Sequence, residues 1–230
     1  MKIHKLAHCC LVIDLKSNDG HSRRILLDPG FYSLEKHSKV NKIDIVLITH
    51  EHADHFHVES LKELIKIHPE ITVITNDAVG AILAKEGIEH RIMEHGNSVD
   101  VKGVHIEAYG KEHALMHKSL PAVSNVGFLI TEQAQGSSSK NATARFFFPG
   151  DAFTDPLNEV DVLALPVSGP WMKISEAIDY ALLVKPKKAF PVHDAIRFGS
   201  AHLLPEKILG INGIEFIKLE EGGEILFTRD

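Results

Sequence analysis

Residues 43–57 read IDIVLITHEHADHFH, a run of Ile, Val and Leu followed at once by ionisable residues. The apolar run over 43–49 is typical of a strand that is covered on both faces. Four strong metal-binding side chains follow it within six residues, at His50, His52, Asp54 and His55. In an extended turn the first two project to one side by the period of two, and the last two turn toward a second point. The stretch therefore predicts a metal site at the end of a buried strand.

Histidine occurs 16 times in the chain, and it is the side chain that binds metals and moves protons near neutral pH. The alternative interpretation of residues 50–57 is a polar, solvated turn whose histidines bind no metal. Four ionisable groups beside a buried strand end would then each need a separate partner, so a metal site is favoured. His57 extends the cluster but lies where a helix begins, and there a surface histidine is favoured over a ligand.

Length and composition place the chain among ordinary globular proteins, with 230 residues, 44% hydrophobic and 24% charged. A chain of this length buries roughly 70% of its unfolded surface. We therefore expect one domain over residues 1–230, in two halves of about 1–120 and 121–230. The net charge of −6 argues against nucleic acid and anionic membranes as partners. No stretch approaches the roughly 20 apolar residues of a membrane span.

The two cysteines, Cys9 and Cys10, are adjacent in the chain. Neighbouring residues do not easily meet disulfide geometry, so both are interpreted as reduced thiols in a reducing compartment. We expect a cytoplasmic protein that acts on a small-molecule substrate. The sequence leaves open whether it forms a homo-oligomer.

The other elements form two runs that each pass from antiparallel strands into alternating strands and helices. Strands are predicted at 2–7, 9–15, 24–27, 43–49, 71–75, 101–109, 126–131, 145–148, 160–166, 188–192, 214–218 and 224–228. Helices are predicted after His57, after Asn76 and from Ile174 to a stop at Pro186. Residues 132–143 are predicted to be a solvated hairpin loop. This order fits an α/β (α+β) sandwich of two mixed sheets with helices outside.

The H-x-H-x-D-H pattern of residues 50–55 resembles the signature of the metallo-β-lactamase superfamily, whose other ligands can be sought one at a time. A histidine past a mid-chain strand is matched by His113, in AYGKEH. A bridging carboxylate in a G-D pair is matched by Asp151, after FFFP, and a late histidine by His193, in FPVHD. The resemblance covers essentially the whole chain and implies a four-layer αββα sandwich.

Departures from better-known branches narrow the resemblance. Class B β-lactamases commonly carry Cys where this chain has Asp151, and glyoxalase II relatives carry an H-T-P-G-like segment that residues 113–117, HALMH, do not match. The chain is most similar to the branch with L-ascorbate-6-phosphate lactonase and N-acyl-phosphatidylethanolamine phospholipase D. That branch also has an early His before an apolar strand, matched by His8, and an I-L-x-D-P turn, matched by residues 25–29.

The resemblance implies a ligand set for two divalent ions. His50, His52 and His113 would hold one ion, and Asp54, His55 and His193 the second, with Asp151 bridging. Imidazoles and carboxylates suit Zn²⁺, which is favoured, and also Mn²⁺, Fe²⁺ and Co²⁺. The implied reaction is hydrolysis of an ester-type bond, a phosphodiester or a lactone, in a small or lipid-like substrate by a hydroxide shared between the ions. Asp54, placed to orient that hydroxide, and His193 are the expected catalytic residues.

Three further residues are candidate substrate contacts. Trp171 follows the strand at 160–166 and would form a pocket wall, or else pack under the next helix. Lys173 is a candidate phosphate contact. His117 is an alternative ligand to His113, which is favoured because it lies closer to the strand end, and otherwise His117 is a substrate contact or simply a solvated residue.

His8 and Asp28 have two interpretations. Either they hold a ligand imidazole in its tautomer, or they are a buried hydrogen-bonded histidine and a turn-forming aspartate. Two other functions compete with hydrolysis. A metal-binding sensor or redox module on the same fold is the main alternative, and a nucleic-acid-processing enzyme ranks last because the chain is acidic.

Overall fold

The computed structural model describes residues 1–133, 142–195 and 202–228, which form two seven-stranded sheets. The first sheet has the order β14-β1-β2-β3-β4-β5-β6. Its strands are β1 (Lys2–Ala7), β2 (Cys10–Lys16), β3 (Ser22–Leu27), β4 (Ile45–Ile48), β5 (Thr72–Thr75), β6 (Arg91–Ile92) and β14 (Glu224–Leu226). The pairs from β14 to β3 are antiparallel and those from β3 to β6 are parallel.

The second sheet has the mirrored construction, in the order β13-β12-β11-β10-β9-β8-β7. Its strands are β7 (Ser98–Val101), β8 (Val104–Tyr109), β9 (Gly127–Gln133), β10 (Ala142–Phe148), β11 (Val162–Pro166), β12 (Lys188–Val192) and β13 (Glu215–Phe216). Pairs from β7 to β10 are antiparallel, and those from β10 to β13 are parallel. The predicted pair of mixed sheets is confirmed. The chain passes from the first sheet to the second between Ile92 and Ser98. The predicted division of the domain into two halves near residue 120 stays a prediction.

Helices cover the outer face of each sheet. They are α1 (Leu34–His37), after a 3-10 turn at Phe31–Ser33, α2 (Val58–Ile67), α3 (Asp77–Lys85), α4 (Ile174–Val184) and α5 (Leu203–Ile211). Helix α2 begins where His57 accepts a hydrogen bond from the Ser60 amide at 3.2 Å, as the helix-start interpretation of His57 requires. None of the helices in the described ranges is long and apolar enough to cross a bilayer.

Strand β4 shows why its apolar run is unbroken. Ile45 and Leu47 belong to the core between the sheets, together with phenylalanines of β9 and β10. Val46 and Ile48 point the other way, into the cluster formed with α2 and α3. Helices α4 and α5 make the matching cluster on the second sheet. Because strands alternate their faces by a period of two, a strand with helices on one side and a sheet on the other is apolar throughout. The four-layer αββα prediction is confirmed.

The single strand predicted at 101–109 is wrong. Lys102 and Gly103 have positive φ angles of 49° and 75°, and they form a two-residue turn that divides β7 from β8. Positive φ at both central residues is the pattern of the hairpin turns whose twist matches the flanking strands. Helix α5 and the short β6 were not predicted. Residues 134–141 of the predicted loop lie outside the described residues.

Candidate metal centre

The candidate ligands come from strand ends that share one edge of the sandwich. In the first sheet His8 follows β1, Asp28 follows β3 and His50 follows β4; in the second His113, Asp151 and His193 follow β8, β10 and β12. These six strands run in the same direction within their sheets, because each is separated from the next by two antiparallel pairings or by parallel ones. Their carboxyl ends therefore meet, where α/β sheets usually bind ligands.

The structure brings all seven predicted ligands together, in two groups. Within each group, one ligand atom per residue lies within 4.8 Å of the others. The first group is His50, His52, His113 and Asp151, and the second is His8, Asp54, His55 and His193. The two groups match the two ligand sets that the sequence predicts, with His8 as an addition.

Asp151 lies between the two groups. Its Oδ1 is 3.2 Å from His55 Nε2, and its Oδ2 is 2.9 Å from His193 Nε2 and 3.3 Å from His113 Nε2. The side chain is buried, and burial alone would raise its pKa. The surrounding imidazoles of His55, His113 and His193 outweigh this and hold the pKa of Asp151 well below its ordinary value. A single carboxylate thus faces imidazole nitrogens on both sides.

Asp28 fixes the orientation of two of these imidazoles. It is fully buried, and its Oδ2 accepts hydrogen bonds from His55 Nδ1 at 2.7 Å and from Thr49 Oγ1 at 2.7 Å. Since Thr49 Oγ1 donates its proton to Asp28, it accepts from His50 Nδ1 at 3.0 Å. Both histidines therefore carry their proton on Nδ1 and present a bare Nε2 to the centre. The geometry favours the tautomer-holding interpretation of Asp28.

His113 is oriented in the same way by the backbone. Its Nδ1 donates to the carbonyl of Ala114 at 2.6 Å, which leaves Nε2 with its lone pair directed at Asp151. Buried His55 Nε2, His113 Nε2 and Asp151 Oδ1 have no hydrogen-bond partner among the described residues. Acceptor atoms that face one another in a buried site without a donor cost free energy. A divalent cation between them would remove this cost, so the residues present fit a metal ion.

His8 contributes a donor to the second group. Its Nδ1 accepts from the backbone amide of Ala195 at 3.2 Å, so the neutral ring carries its proton on Nε2. This Nε2 lies 3.2 Å from Asp54 Oδ2 and donates to it. The His8 ring packs 4.2 Å from the ring of His193, measured between centroids, and 4.9 Å from that of Tyr32. Its geometry is that of a group that holds Asp54 in place.

Three residues of the centre have left-handed backbone conformations, with φ of 52° at His8, 42° at Asp28 and 55° at His193. Such conformations are unfavourable for residues with a Cβ and persist where the surrounding contacts determine them. Here the side chains of all three make the contacts described above. The turn after each strand is therefore constrained by the centre it helps to build.

Lys5 is the supporting residue that sequence reasoning missed. It is 1% exposed, and its Nζ donates to the carbonyl of Pro191 at 2.7 Å and to Asp194 Oδ2 at 2.6 Å. These bonds tie the end of β12, on either side of His193, to β1. A lysine within an alternating strand is ordinarily interpreted as exposed, since lysine is almost never fully buried without a partner, so no sequence signal marks it.

The G-D pair has a steric explanation. Gly150 has a φ of 66°, and a Cβ there would clash with Asn125 Oδ1 and lie 2.9 Å from Thr49 Cβ. Asn125 Oδ1 also accepts the Asp151 amide at 3.1 Å. Only glycine allows the backbone at residue 150 to lie so close to the side-chain amide of Asn125. The hydrogen bond to this amide then fixes the backbone of Asp151.

The predicted substrate contacts are placed differently from one another. The ring of Trp171 is buried, with its centroid 5.5 Å from that of His113 and 5.7 Å from that of His193. His117 is exposed and belongs to neither ligand group, so it is His113 that the structure brings against Asp151. Lys173 is exposed at the residue preceding α4 and belongs to neither group. Their roles toward a substrate stay predictions.

Comparison with known proteins gives a consistent family. Residues 2–193 match the model of the family described as beta-lactamase superfamily domain. The chain is 34% identical over 196 residues to Protein Rv0786c of Mycobacterium tuberculosis, which covers 85% of each chain. It is 26% identical over 200 residues to the UPF0173 metal-dependent hydrolase PYRAB05000 of Pyrococcus abyssi, which covers 84% of each.

Solved structures show the same fold at lower identity. Igni18, a metallo hydrolase from the archaeon Ignicoccus hospitalis, superimposes with a TM-score of 0.71 at 20% identity, covering 98% of each chain. The metallo-beta-lactamase fold protein YhfI of Bacillus subtilis also gives 0.71, at 16% identity, covering 97% of this chain and 98% of that one. The finer resemblance to the lactonase and phospholipase branch stays a prediction. On its sequence match, its αββα fold and the position of its H-x-H-x-D-H segment, the chain belongs to the metallo-β-lactamase superfamily.

Proposed function

We propose that the protein is a metal-dependent hydrolase that holds two divalent ions and cleaves an ester-type bond, a phosphodiester or a lactone. The observation that carries this proposal is the position of Asp151, whose two oxygens lie within 3.3 Å of imidazole nitrogens of both groups. The relatives named metal-dependent hydrolase support it. Zn²⁺ is favoured, with Mn²⁺ and Fe²⁺ as the other ions that suit the donor set.

Each residue has a defined task in this proposal. His50, His52 and His113 would hold one ion, Asp54, His55 and His193 the other, and Asp151 both. Bound divalent ions lower the pKa of a water toward neutrality and stabilise negative charge on the attacked and leaving oxygens. Asp28 and Thr49 keep the lone pairs of His50 and His55 directed inward. Trp171 excludes water from the side of the centre next to His113.

Asp54 is the carboxylate best placed to orient an attacking water. Its side chain is 26% exposed, whereas that of Asp151 is 2% exposed, so Asp54 is the carboxylate at the mouth of the centre. Its Oδ2 is held at 3.2 Å by His8 Nε2 and lies 3.4 Å from His193 Nε2. We assign the orientation of the water to Asp54, with His193 as its catalytic neighbour.

Metal binding is expected to release protons near neutral pH. Burial alone would lower the pKa of His193, but hydrogen bonds to Asp151 and Asp54 raise it to about 9. The metal-free ring is therefore protonated at pH 7.5, and an ion must displace that proton. Because the ring loses its proton as the pH rises through about 9, the release should diminish there. Calorimetric titration with Zn²⁺ in buffers of different ionisation enthalpy measures it; absence of release at pH 7.5 would contradict this assignment.

The test of the proposed function begins with metal content. Protein purified without a chelating tag should contain about two equivalents of a transition metal and should hydrolyse members of a panel of phosphodiesters and lactones. Removal of the metal should abolish turnover, and reconstitution should restore it. Two equivalents of metal without turnover on the panel would favour the sensor or redox alternative, and no uptake on reconstitution would exclude both.

Location and partners complete the proposal. Cys9 and Cys10 are buried free thiols, which supports the cytoplasm, a reducing compartment. The net charge of −6 supports a small-molecule substrate over nucleic acid. If the binding of single-stranded nucleic acid does not depend on salt concentration, this result would agree with a small-molecule substrate.

A further inference from the structure

The loop between β8 and β9 encloses a small cavity beside the candidate metal centre. The cavity has a volume of about 160 Å³, and His113 forms part of its wall. Apart from Glu112, His113 and His117, every lining residue is apolar. The apolar wall includes Leu115, Met116, Leu120, Pro121 and Val123.

The cavity is formed by the backbone of its own loop. The His113 amide donates to the carbonyl of Val123 at 2.8 Å, and the Leu120 amide donates to that of His117 at 2.9 Å. A β-bridge joins Glu112 to Ser124 at the mouth of the loop. The cavity therefore exists before a ligand arrives, and filling it requires little ordering of the chain.

Two leucines of the loop are exposed to solvent and do not belong to the hydrophobic core. Leu115 is 71% exposed and Leu120 is 49% exposed, although both line the cavity. Beside the second ligand group, Phe31 and Tyr32 are 59% and 45% exposed, and the ring of Tyr32 packs 4.9 Å from that of His8. Clustered exposed apolar side chains next to a functional site commonly mark a place where an apolar ligand binds.

The volume limits what the cavity can hold. Pockets that take a whole small-molecule ligand usually measure about 300–1,000 Å³. At roughly 30 Å³ for a water-sized group, 160 Å³ has room for about five non-hydrogen atoms. The occupant is therefore one part of a substrate, while the rest of the substrate lies at the centre or in solvent.

We propose that this cavity, which we call the His113 subsite, receives a short apolar group of the substrate, about five non-hydrogen atoms long. This inference rests on the proposed function, because His113 is both a wall of the subsite and a candidate ligand. The bond to be cleaved lies at Asp151 and the apolar group extends past His113 into the loop. The substrate is then an ester, lactone or phosphodiester with a short alkyl substituent, and long acyl chains gain nothing from the subsite.

Linear alkyl hydroxamic acids test this directly, because the hydroxamate group chelates a divalent ion and the tail probes the subsite. We expect the calorimetric dissociation constant of the zinc-loaded protein to fall up to about fourfold for each methylene from acetohydroxamate to hexanohydroxamate, whose tail has five carbons beyond the carbonyl. Octano- and dodecanohydroxamate should bind no more tightly than hexanohydroxamate. A dissociation constant independent of tail length, or one that keeps falling to dodecanohydroxamate, would overturn the inference.

Two matched leucine variants distinguish binding in the subsite from the effect of replacing any exposed leucine. Leu120→Gln, in the wall, should flatten the dependence on tail length and leave acetohydroxamate binding unchanged. Leu157→Gln, at a leucine 79% exposed and outside the subsite, should keep the full dependence. If Leu120→Gln kept it as well, the subsite would be excluded. If even acetohydroxamate failed to bind, the metal centre itself, and this inference with it, would be wrong.

Discussion

Asp151→Asn is expected to weaken the binding of both metal ions and to abolish detectable hydrolysis. The asparagine keeps the shape of the side chain and the amide contact with Asn125, so the fold of the loop is retained. What is lost is the negative charge that lies within 3.3 Å of His55, His113 and His193. Removing one charged partner from a buried set costs roughly 3–5 kcal/mol, which corresponds to a loss of about 10² to 10³-fold or more in affinity.

Metal analysis after gel filtration and competition with a chelator measure this loss for each equivalent separately. A ligand of one ion alone would weaken one equivalent, whereas a carboxylate shared by both groups weakens two. Asp155→Asn is the matched control, since Asp155 lies four residues on and its carboxylate only accepts the Leu157 amide at 2.8 Å among the described contacts. Retention of two tightly held ions in Asp151→Asn would exclude the shared role of this carboxylate.

The candidate ligands beyond residues 50–55 come from the resemblance to the metallo-β-lactamase superfamily, and each of them follows a strand whose end is visible in the sequence. The apolar run of β4 and the FFFP and FPVHD segments mark three such ends, and the structure brings His50 and His193 from two of them to within 4.0 Å and 2.9 Å of Asp151 from the third. The choice of His113 over His117 rested on proximity to the strand end. The structure places His113 inward because the bond from its amide to Val123 holds the loop closed.

The supporting residues could not be predicted in the same way, because long-range contacts decide their roles. Lys5 contacts residues 186 and 189 positions away, and nothing local distinguishes it from an exposed strand lysine. The Lys102–Gly103 turn was missed for the opposite reason. The apolar alternation changes phase at the turn, from Val99 and Val101 to Val104, Ile106 and Ala108, and an unbroken strand at 101–109 overlooks both this change and the glycine between.

Gly30→Ala is expected to disturb the second ligand group and to destabilise the protein. Gly30 has φ −91° and ψ −175°, values that any residue adopts, so the substitution strains no backbone angle. The cost is steric, because a Cβ at Gly30 would overlap the carbonyl carbon and oxygen of Asp54 and crowd the amide of His55. These are backbone atoms of the H-x-H-x-D-H segment, and no side-chain rotation relieves the overlap.

The segment must therefore move away from the turn that follows β3, and this separates Asp28 from His55, whose hydrogen bond is 2.7 Å long. Overpacking of this kind costs typically 1–3 kcal/mol, and contact with backbone places Gly30→Ala at the upper end. For a chain of this size a loss of about 3 kcal/mol lowers Tm by roughly 6–12 °C. The second metal equivalent should also bind more weakly, since the same shift displaces Asp54 and His55.

Gly210→Ala is the control that isolates the steric argument. Gly210 lies in α5, where a Cβ would meet no neighbouring heavy atom of the described residues within 4 Å, and alanine there should stabilise the protein by roughly 0.5–1 kcal/mol. Thermal unfolding with and without Zn²⁺ compares the two variants. If the metal-induced rise in Tm is smaller in Gly30→Ala than in the parent and unchanged in Gly210→Ala, the contact between the turn and the ligand segment is what positions the second ion. Equal rises in all three proteins would show that the segment reaches its geometry without that contact.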